Sequence, residues 1–230
     1  MNQEKPTESQ DQRENLHVHY SAADYDRYTE KFVEVYDAAM IKRIRDEVLG
    51  PEASGVLLDI GTGTARLLIK IAAVPELKAL RLIGVDYYDD MLSEARRALR
   101  ENSLEGVIEL RLADAHNLPF PNDFADYVIS RSTIHHWADP QRAFREIARV
   151  LKPEGVAIIH DMRRDPTPEA LDKFNELRRQ AGVEPARLEE KYTAAEVEEF
   201  LKAAGLQDCS TVQAGESGPG ALGFEVKIIK

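Results

Sequence analysis

The sequence predicts an α/β fold, a mostly parallel sheet wrapped by helices, and three observations carry that prediction. From Gly55 onward, short β-rich runs alternate with longer amphipathic segments, the pattern of βαβ units. The first run breaks into a glycine turn, "DIGTGTA", that opens a helix. The last two runs, "CSTVQ" and "LGFEVKIIK", are joined by "AGESGPGA", which is too short for a crossover helix, so they form an antiparallel hairpin.

In chain order, residues 1–15 are a polar stretch without the apolar core of a secretory signal; they read as a disordered tail, with the mature chain starting at or near Met1. Over 16–50, Phe32, Tyr36, Met40, Ile41, Ile44 and Leu49 recur at helical spacing, predicting one or two helices that form an N-terminal cap. Residues 51–230 read as one domain. Its strands are "GVLLDI", "LRLIGVD", "VIELRLA", "DYVISRS" and "GVAIIHD", followed by the terminal pair. Helices are expected over Ala65 to Ala73, Asp89 to Glu101, Pro140 to Leu151 and Pro168 to Ala181. The third has Asp139 as N-cap, Pro140 at its first position, and Phe144, Ile147, Ala148 and Leu151 on one face. A last helix in "TAAEVEEFLKAAG" carries a capping box from Thr193 to Glu196 and stops at Gly205.

Composition narrows the partners. A chain of 230 residues with 43% hydrophobic and 31% charged content is ordinary for a soluble domain. No apolar run approaches the ~20 residues of a membrane span. The single cysteine, Cys209, rules out an internal disulfide and a cysteine-based zinc site, and fits a reducing cytoplasm. A net charge of −11 disfavours nucleic acid as a partner, because phosphate contacts supply most non-specific affinity. No wider ligand pattern supports a metal site.

In an open α/β sheet, ligands bind beyond the carboxyl ends of the strands, so the residues after each run are the candidates. After the first run come Asp59, Gly61, Thr62 and Gly63; the glycines let backbone approach a ligand closely. "GTGTAR" lacks the Gly-Lys-Ser/Thr of a phosphate loop and the third glycine of a full dinucleotide fingerprint. Asp86 ends the second run, where a carboxylate accepts from the two hydroxyls of a ribose. Asp114 follows the third, placed to accept from an exocyclic amine such as that of adenine, with Leu118, Pro119 and Phe120 as an apolar wall. Ser130, Arg131, His135, His136 and Trp137 follow the fourth; His160, Asp161 and Arg163 follow the fifth.

These residues resemble the class I S-adenosylmethionine-dependent methyltransferases, in particular the small-molecule group similar to the ubiquinone-biosynthesis methyltransferases. "LLDIGTGTA", "GVDYYDDML", "LADAHNLPFPNDFADYVISRSTIHHW" and "REIARVLKPEG" stand in the family's motif order between about Gly55 and Gly155. The departure is Ala65, where the family often has a third glycine. The resemblance implies a Rossmann-like sheet of seven strands with the last antiparallel and helices on both faces. It implies S-adenosylmethionine as cofactor and S-adenosylhomocysteine as product. Gly61, Thr62 and Gly63 would then lie beneath the methionine part, with Asp59 near its amino group and Ser130 beside it. Asp86 would hold the ribose, Tyr87 and Met91 would flank the adenine, Asp114 would meet its amine, and Ala115 would complete the pocket.

Methyl transfer from a sulfonium is an in-line displacement, so the protein must align the partners, exclude water and remove a proton where the nucleophile carries one. His135, His136 and Asp161 are the candidates for that last task, an imidazole with a carboxylate neighbour. His160 is expected on the opposite face from Asp161 by strand alternation. Tyr20, Tyr25 and Tyr28 are expected to close over the pocket, and about 162–192 forms a second lid, with Arg163 available to an anionic substrate. The expected reaction is methylation of a small-molecule acceptor, foremost at a hydroxyl oxygen, with nitrogen and carbon as alternatives; a homodimer is left open. The competing reading is a cofactor-binding partner or sensor without catalysis.

Overall fold

A computed structural model describes residues 37–45, 54–180, 182–216 and 218–230. The polar tail and the expected Tyr20, Tyr25 and Tyr28 lid lie outside the described residues.

After a helical stretch over residues 37–45, the chain runs through β1 (Gly55–Ile60), α1 (Arg66–Ala72), β2 (Leu80–Asp86), α2 (Asp89–Glu101), β3 (Ile108–Leu112), β4 (Ala125–Arg131), α3 (Pro140–Val150), β5 (Leu151–Met162), α4 (Pro168–Gln180), α5 (Ala194–Ala203), β6 (Ser210–Ala214) and β7 (Gly223–Ile229). The seven strands form one sheet in the order β3-β2-β1-β4-β5-β7-β6. All pairs are parallel except those of β7, which runs antiparallel to both β5 and β6. The Rossmann-like sheet with its reversed last strand is thus the observed one, and the order turns back between β1 and β4, the switch point at which such sheets bind ligands.

Strand alternation divides the core in two. Leu58, Ile60, Ile83, Val85, Val128, Ala157, Ile159, Val226 and Ile228 face α3 and α5, which contribute Phe144, Ile147, Val150, Val197 and Leu201. Leu57, Leu82, Ile129 and Ile158 face the other way, onto Leu67, Leu68 and Ile71 of α1, Ala95 and Leu99 of α2, and Met40 and Ile44 of the 37–45 stretch. That stretch is also clamped by charge. Asp37, fully buried, lies 3.1 Å from Arg66, 3.0 Å from Lys70 and 3.1 Å from Arg131. Arg43 grips Glu225 through two nitrogens, at 3.2 and 3.0 Å, and His160 Nε2 lies 2.9 Å from the same carboxylate. Burial works to raise the Glu225 pKa, yet His160 and Arg43 outweigh it and bring it down to about 2.

The helix signals work as read: Asp139 accepts from the Arg142 amide at 3.0 Å, and Thr193 and Glu196 close both halves of the capping box. The fifth strand differs at its start. It begins at Leu151 rather than Gly155, because Leu151 already pairs with Ala125 before the register shifts between Ala125 and Tyr127. Asp126 anchors that irregularity, accepting from the Val56 amide at 2.8 Å and from Lys152 Nζ at 2.9 and 2.8 Å. Among the described residues, no helix is long and apolar enough to cross a membrane, and no group of three or more metal-ligating side chains is assembled.

Candidate active site

Register brings the carboxyl ends of β1, β2, β4 and β5 to one edge: Ile60 lies beside Val85 and Ser130, and Arg131 beside His160. Beyond Ile60 the chain turns back over β2. The Gly61 and Thr62 amides both donate to Val85 O at 2.9 Å. Gly61 has φ 71 and its Cβ position would lie 2.3 Å from Thr133 Cγ2, so no side chain fits there. Gly63, at φ 57, is the reverse case: a Cβ would meet nothing within 4 Å, so its backbone borders open space. Ala65 holds the left-handed φ of 61 that explains the family's glycine at this position, at a cost of about 1 kcal/mol for its methyl group. Burial of that methyl offsets a comparable amount, so the departure from the family pattern is nearly neutral.

By strand parity Asp59 and Asp86 share one face. Asp59 is 2% exposed, and its Oδ2 accepts from Thr62 Oγ1 at 2.8 Å. Burial raises its pKa to about 7, against the opposing effects of the Thr62 hydrogen bond and the Arg131 charge, and with the Asp86 carboxylate adding to the rise. Asp86 accepts from the Gly63 amide at 2.8 Å and the Tyr88 amide at 3.0 Å, one on each oxygen. Its pKa is also raised, by burial, with those amides opposing. Tyr87 is the most exposed large apolar side chain here, at 65%, standing edge-on to Tyr88 with ring centroids 5.2 Å apart. Met91 and Ala115 are partly buried. Asp114 Oδ1 accepts from the His116 amide at 2.9 Å and pairs with the His116 ring.

Ser130 is fully buried; its hydroxyl donates to Ile60 O at 2.6 Å and contacts Thr133 Oγ1. It therefore ties β4 to β1 rather than presenting a free hydroxyl. His135 and Asp161 come together: His135 Nδ1 lies 2.8 Å and 3.0 Å from the two Asp161 oxygens, with both residues under a tenth exposed. Asp161 also accepts from the Met162 amide at 2.7 Å. Burial alone would raise its pKa, but the His135 charge and hydrogen bond, Lys191 and the Met162 amide hold it below the ordinary carboxylate value. Because Asp161 is a carboxylate, Nδ1 carries the proton, leaving Nε2 as the ring's other nitrogen, with no hydrogen bond to it among the described residues. The His136 ring packs 4.0 Å from that of His135. Arg163 is held by Asp165, at 2.8 and 3.0 Å, so its charge is already matched. His160 does turn to the opposite face, toward Glu225.

Three residues that bear on the site were given no role by the sequence. Lys191 is 8% exposed, with Nζ 2.8 Å from Glu190, and acts electrostatically on Asp161. It arrives through the bridge between Arg163 and Tyr192 and the Arg164 contact to its carbonyl at 3.1 Å. Arg131 faces Asp37 and influences Asp59. His116 sits inside the third motif, where its only local signal was an aspartate two residues earlier.

A parallel sheet reversed at its last strand, with an acid at or just past the end of each of its first three strands and a glycine turn after the first, is the fold of solved S-adenosylmethionine-dependent methyltransferases. Residues 58–159 match the family model described as a methyltransferase domain. Over that stretch the chain is similar to the ubiquinone and menaquinone methyltransferases. It is 32% identical over 137 residues to the uncharacterized methyltransferase YcgJ of Bacillus subtilis, and 28% identical over 137 residues to the ubiquinone/menaquinone biosynthesis C-methyltransferase UbiE of Vibrio campbellii. Each of these alignments covers 58% of this chain and 52% of the relative, so the chain spans about half the length of the curated relatives it matches. Its fold is that of a crystal structure of an S-adenosylmethionine-dependent methyltransferase from Aquifex aeolicus, with TM-score 0.65 at 19% identity, covering 92% of this chain and 99% of the other.

Proposed function

We propose that this chain transfers the methyl group of S-adenosylmethionine to a small-molecule acceptor whose hydroxyl is deprotonated by His135. The observation that carries the reading is the buried His135–Asp161 pair at the same sheet edge as Asp59, Gly63 and Asp86. The residues present fit the cofactor. Burial raises the Asp59 pKa to about 7, and an amino-acid ammonium beside it would favour the carboxylate. Gly63 borders open space for the methionine portion, with Gly61 and Thr62 shaping the turn and Ser130 bracing it. Each Asp86 oxygen, already holding one amide, has a lone pair left for a ribose hydroxyl. Tyr87 offers an exposed ring to the adenine, with Met91 and Ala115 beside it, and Asp114 an acceptor to the exocyclic amine. When bound, the cofactor brings an activated methyl carbon on a sulfonium.

The protein's own part is proton removal and exclusion of water. Asp161 fixes the Nδ1–H tautomer and steadies the imidazolium that forms when Nε2 accepts the acceptor's proton. His136 packs on that ring and restricts its rotation. The resulting oxyanion attacks directly in the primary reading. A second outcome is supported by the relatives named C-methyltransferases: in a phenol or quinol the same charge spreads onto a ring carbon, which takes the methyl and then loses its proton to restore the aromatic ring. Residues 162–192 and the aromatic residues 20–32 are the proposed covers over the acceptor. Arg163 reaches an anionic acceptor only by leaving Asp165.

Incubation with S-adenosylmethionine and a panel of simple phenols, quinols and amines should release S-adenosylhomocysteine with at least one phenolic or quinolic acceptor, and NMR of the product locates the methyl group. Tight cofactor binding with no product from any acceptor would instead favour a non-catalytic binding protein. Asp86→Ala is expected to weaken cofactor binding at least tenfold, about the ~1.4 kcal/mol of one good hydrogen-bonded contact. Unchanged affinity by calorimetry would remove Asp86 from the ribose site.

A further inference from the structure

We infer that His116 is a positioning residue that makes the nucleobase pocket selective for an amine-bearing purine, by holding Asp114 with one oxygen occupied and the other open. The inference deepens the reading above, in which Asp114 meets the adenine amine. It rests on a chain of three groups. The Asp139 amide donates to His116 Nε2 at 3.1 Å. An amide N–H can only donate, so Nε2 is the acceptor and the imidazole proton sits on Nδ1. Nδ1–H then points at Asp114 Oδ1, which also accepts from the His116 amide at 2.9 Å. Oδ1 is therefore held by two donors from one residue, while Oδ2 has no donor among the described residues.

That asymmetry matters for recognition. An Asp114 side chain 43% exposed would otherwise sample several rotamers and offer either oxygen. Fixed by a His116 ring that is only 16% exposed, it presents one acceptor, and a single acceptor favours an amine while opposing a carbonyl oxygen at the same place. The far end of the chain is rigid as well. Asp139 caps α3 through Arg142, and its loop follows His135, His136 and Trp137, whose indole packs edge-on against Phe144 at 5.5 Å. The base pocket is thus referenced to the same helix start that fixes the His135 loop.

The test compares binding of S-adenosylhomocysteine with that of S-inosylhomocysteine, in which the 6-amino group is replaced by oxo, using calorimetry on the whole chain. The wild type should favour the adenine compound by at least about tenfold. His116→Ala should cut that preference by about tenfold. His116→Asn places an amide N–H where Nδ1–H stood and should keep the preference within about threefold of wild type, whereas His116→Gln, which restores only the acceptor at the Nε2 position, should behave as His116→Ala. A preference unchanged in His116→Ala, or lost equally in His116→Asn and His116→Gln, overturns the role of His116. Asp114→Ala separates the two levels: if it leaves both affinity and preference intact, Asp114 is not at the nucleobase and the underlying reading fails instead.

Discussion

His135→Asn is expected to lower turnover by on the order of 10²–10⁴-fold at saturating cofactor and acceptor, while cofactor affinity stays within about twofold of wild type. Asparagine is the informative replacement because its amide N–H can occupy the place of Nδ1–H toward Asp161, so the buried carboxylate keeps a donor and the loop keeps its anchor. What disappears is Nε2, the nitrogen proposed to take the proton. Alanine would remove both functions and leave Asp161 buried with a lost partner, confounding chemistry with stability. The comparison is made by single-turnover kinetics alongside a thermal melt. A rate equal to wild type at full folding assigns His135 to loop packing and leaves the acceptor's proton to another group.

Asp59→Asn should produce two opposite effects. In the cofactor-free protein, the Asp59 pKa of about 7 lies above its ordinary 3.8, so folding favours the protonated acid. The sign follows: that contribution to stability is complete below the ordinary value and is lost as pH rises through about 7. The difference amounts to about 4 kcal/mol in the neutral-to-alkaline range, with ionised Asp59 as the strained state. Asparagine removes the strain, so the variant should be more stable than wild type at pH 8, with the gap narrowing toward pH 4, as read from denaturant melts at each pH. Cofactor binding should move the other way. A bound ammonium favours the carboxylate, so wild-type affinity should tighten with rising pH up to about 7 and binding below it should release a proton. The asparagine variant should bind at least tenfold more weakly, with a flat pH profile. Parallel stability curves for the two proteins from pH 4 to pH 8 would show that Asp59 titrates normally and would remove the electrostatic argument for an ammonium there.

Much of the fold was legible locally because its signals are local. Asp139 before Pro140, the Thr193–Glu196 box and Gly205 mark helix ends within a few residues of themselves, and each does so in the structure. The reversed last strand followed from the length of one connection. Where local reading stopped, non-local pairing decided. The helix-to-strand passage at Leu151 was set by its pairing to Ala125 and by the Asp126 anchor, neither visible in "RVLKPEG". Residues 37–45 showed helical spacing, but nothing in that spacing announced that Asp37 would be buried among Arg66, Lys70 and Arg131.

By itself the sequence determined the alternation of strands and helices, the glycine turn and the acids at the strand ends, because periodicity of side chains and the conformational needs of turns are properties of neighbouring residues. Only the tertiary structure decided which side chains meet. The β4–β5 pairing set the His135–Asp161 distance, the return of the chain past Arg163 brought Lys191 in, and the cap of α3 locked His116 onto Asp114. Such contacts depend on register and on burial, which place a charge in or out of water and so fix its proton affinity, and neither is written in the order of residues along the chain.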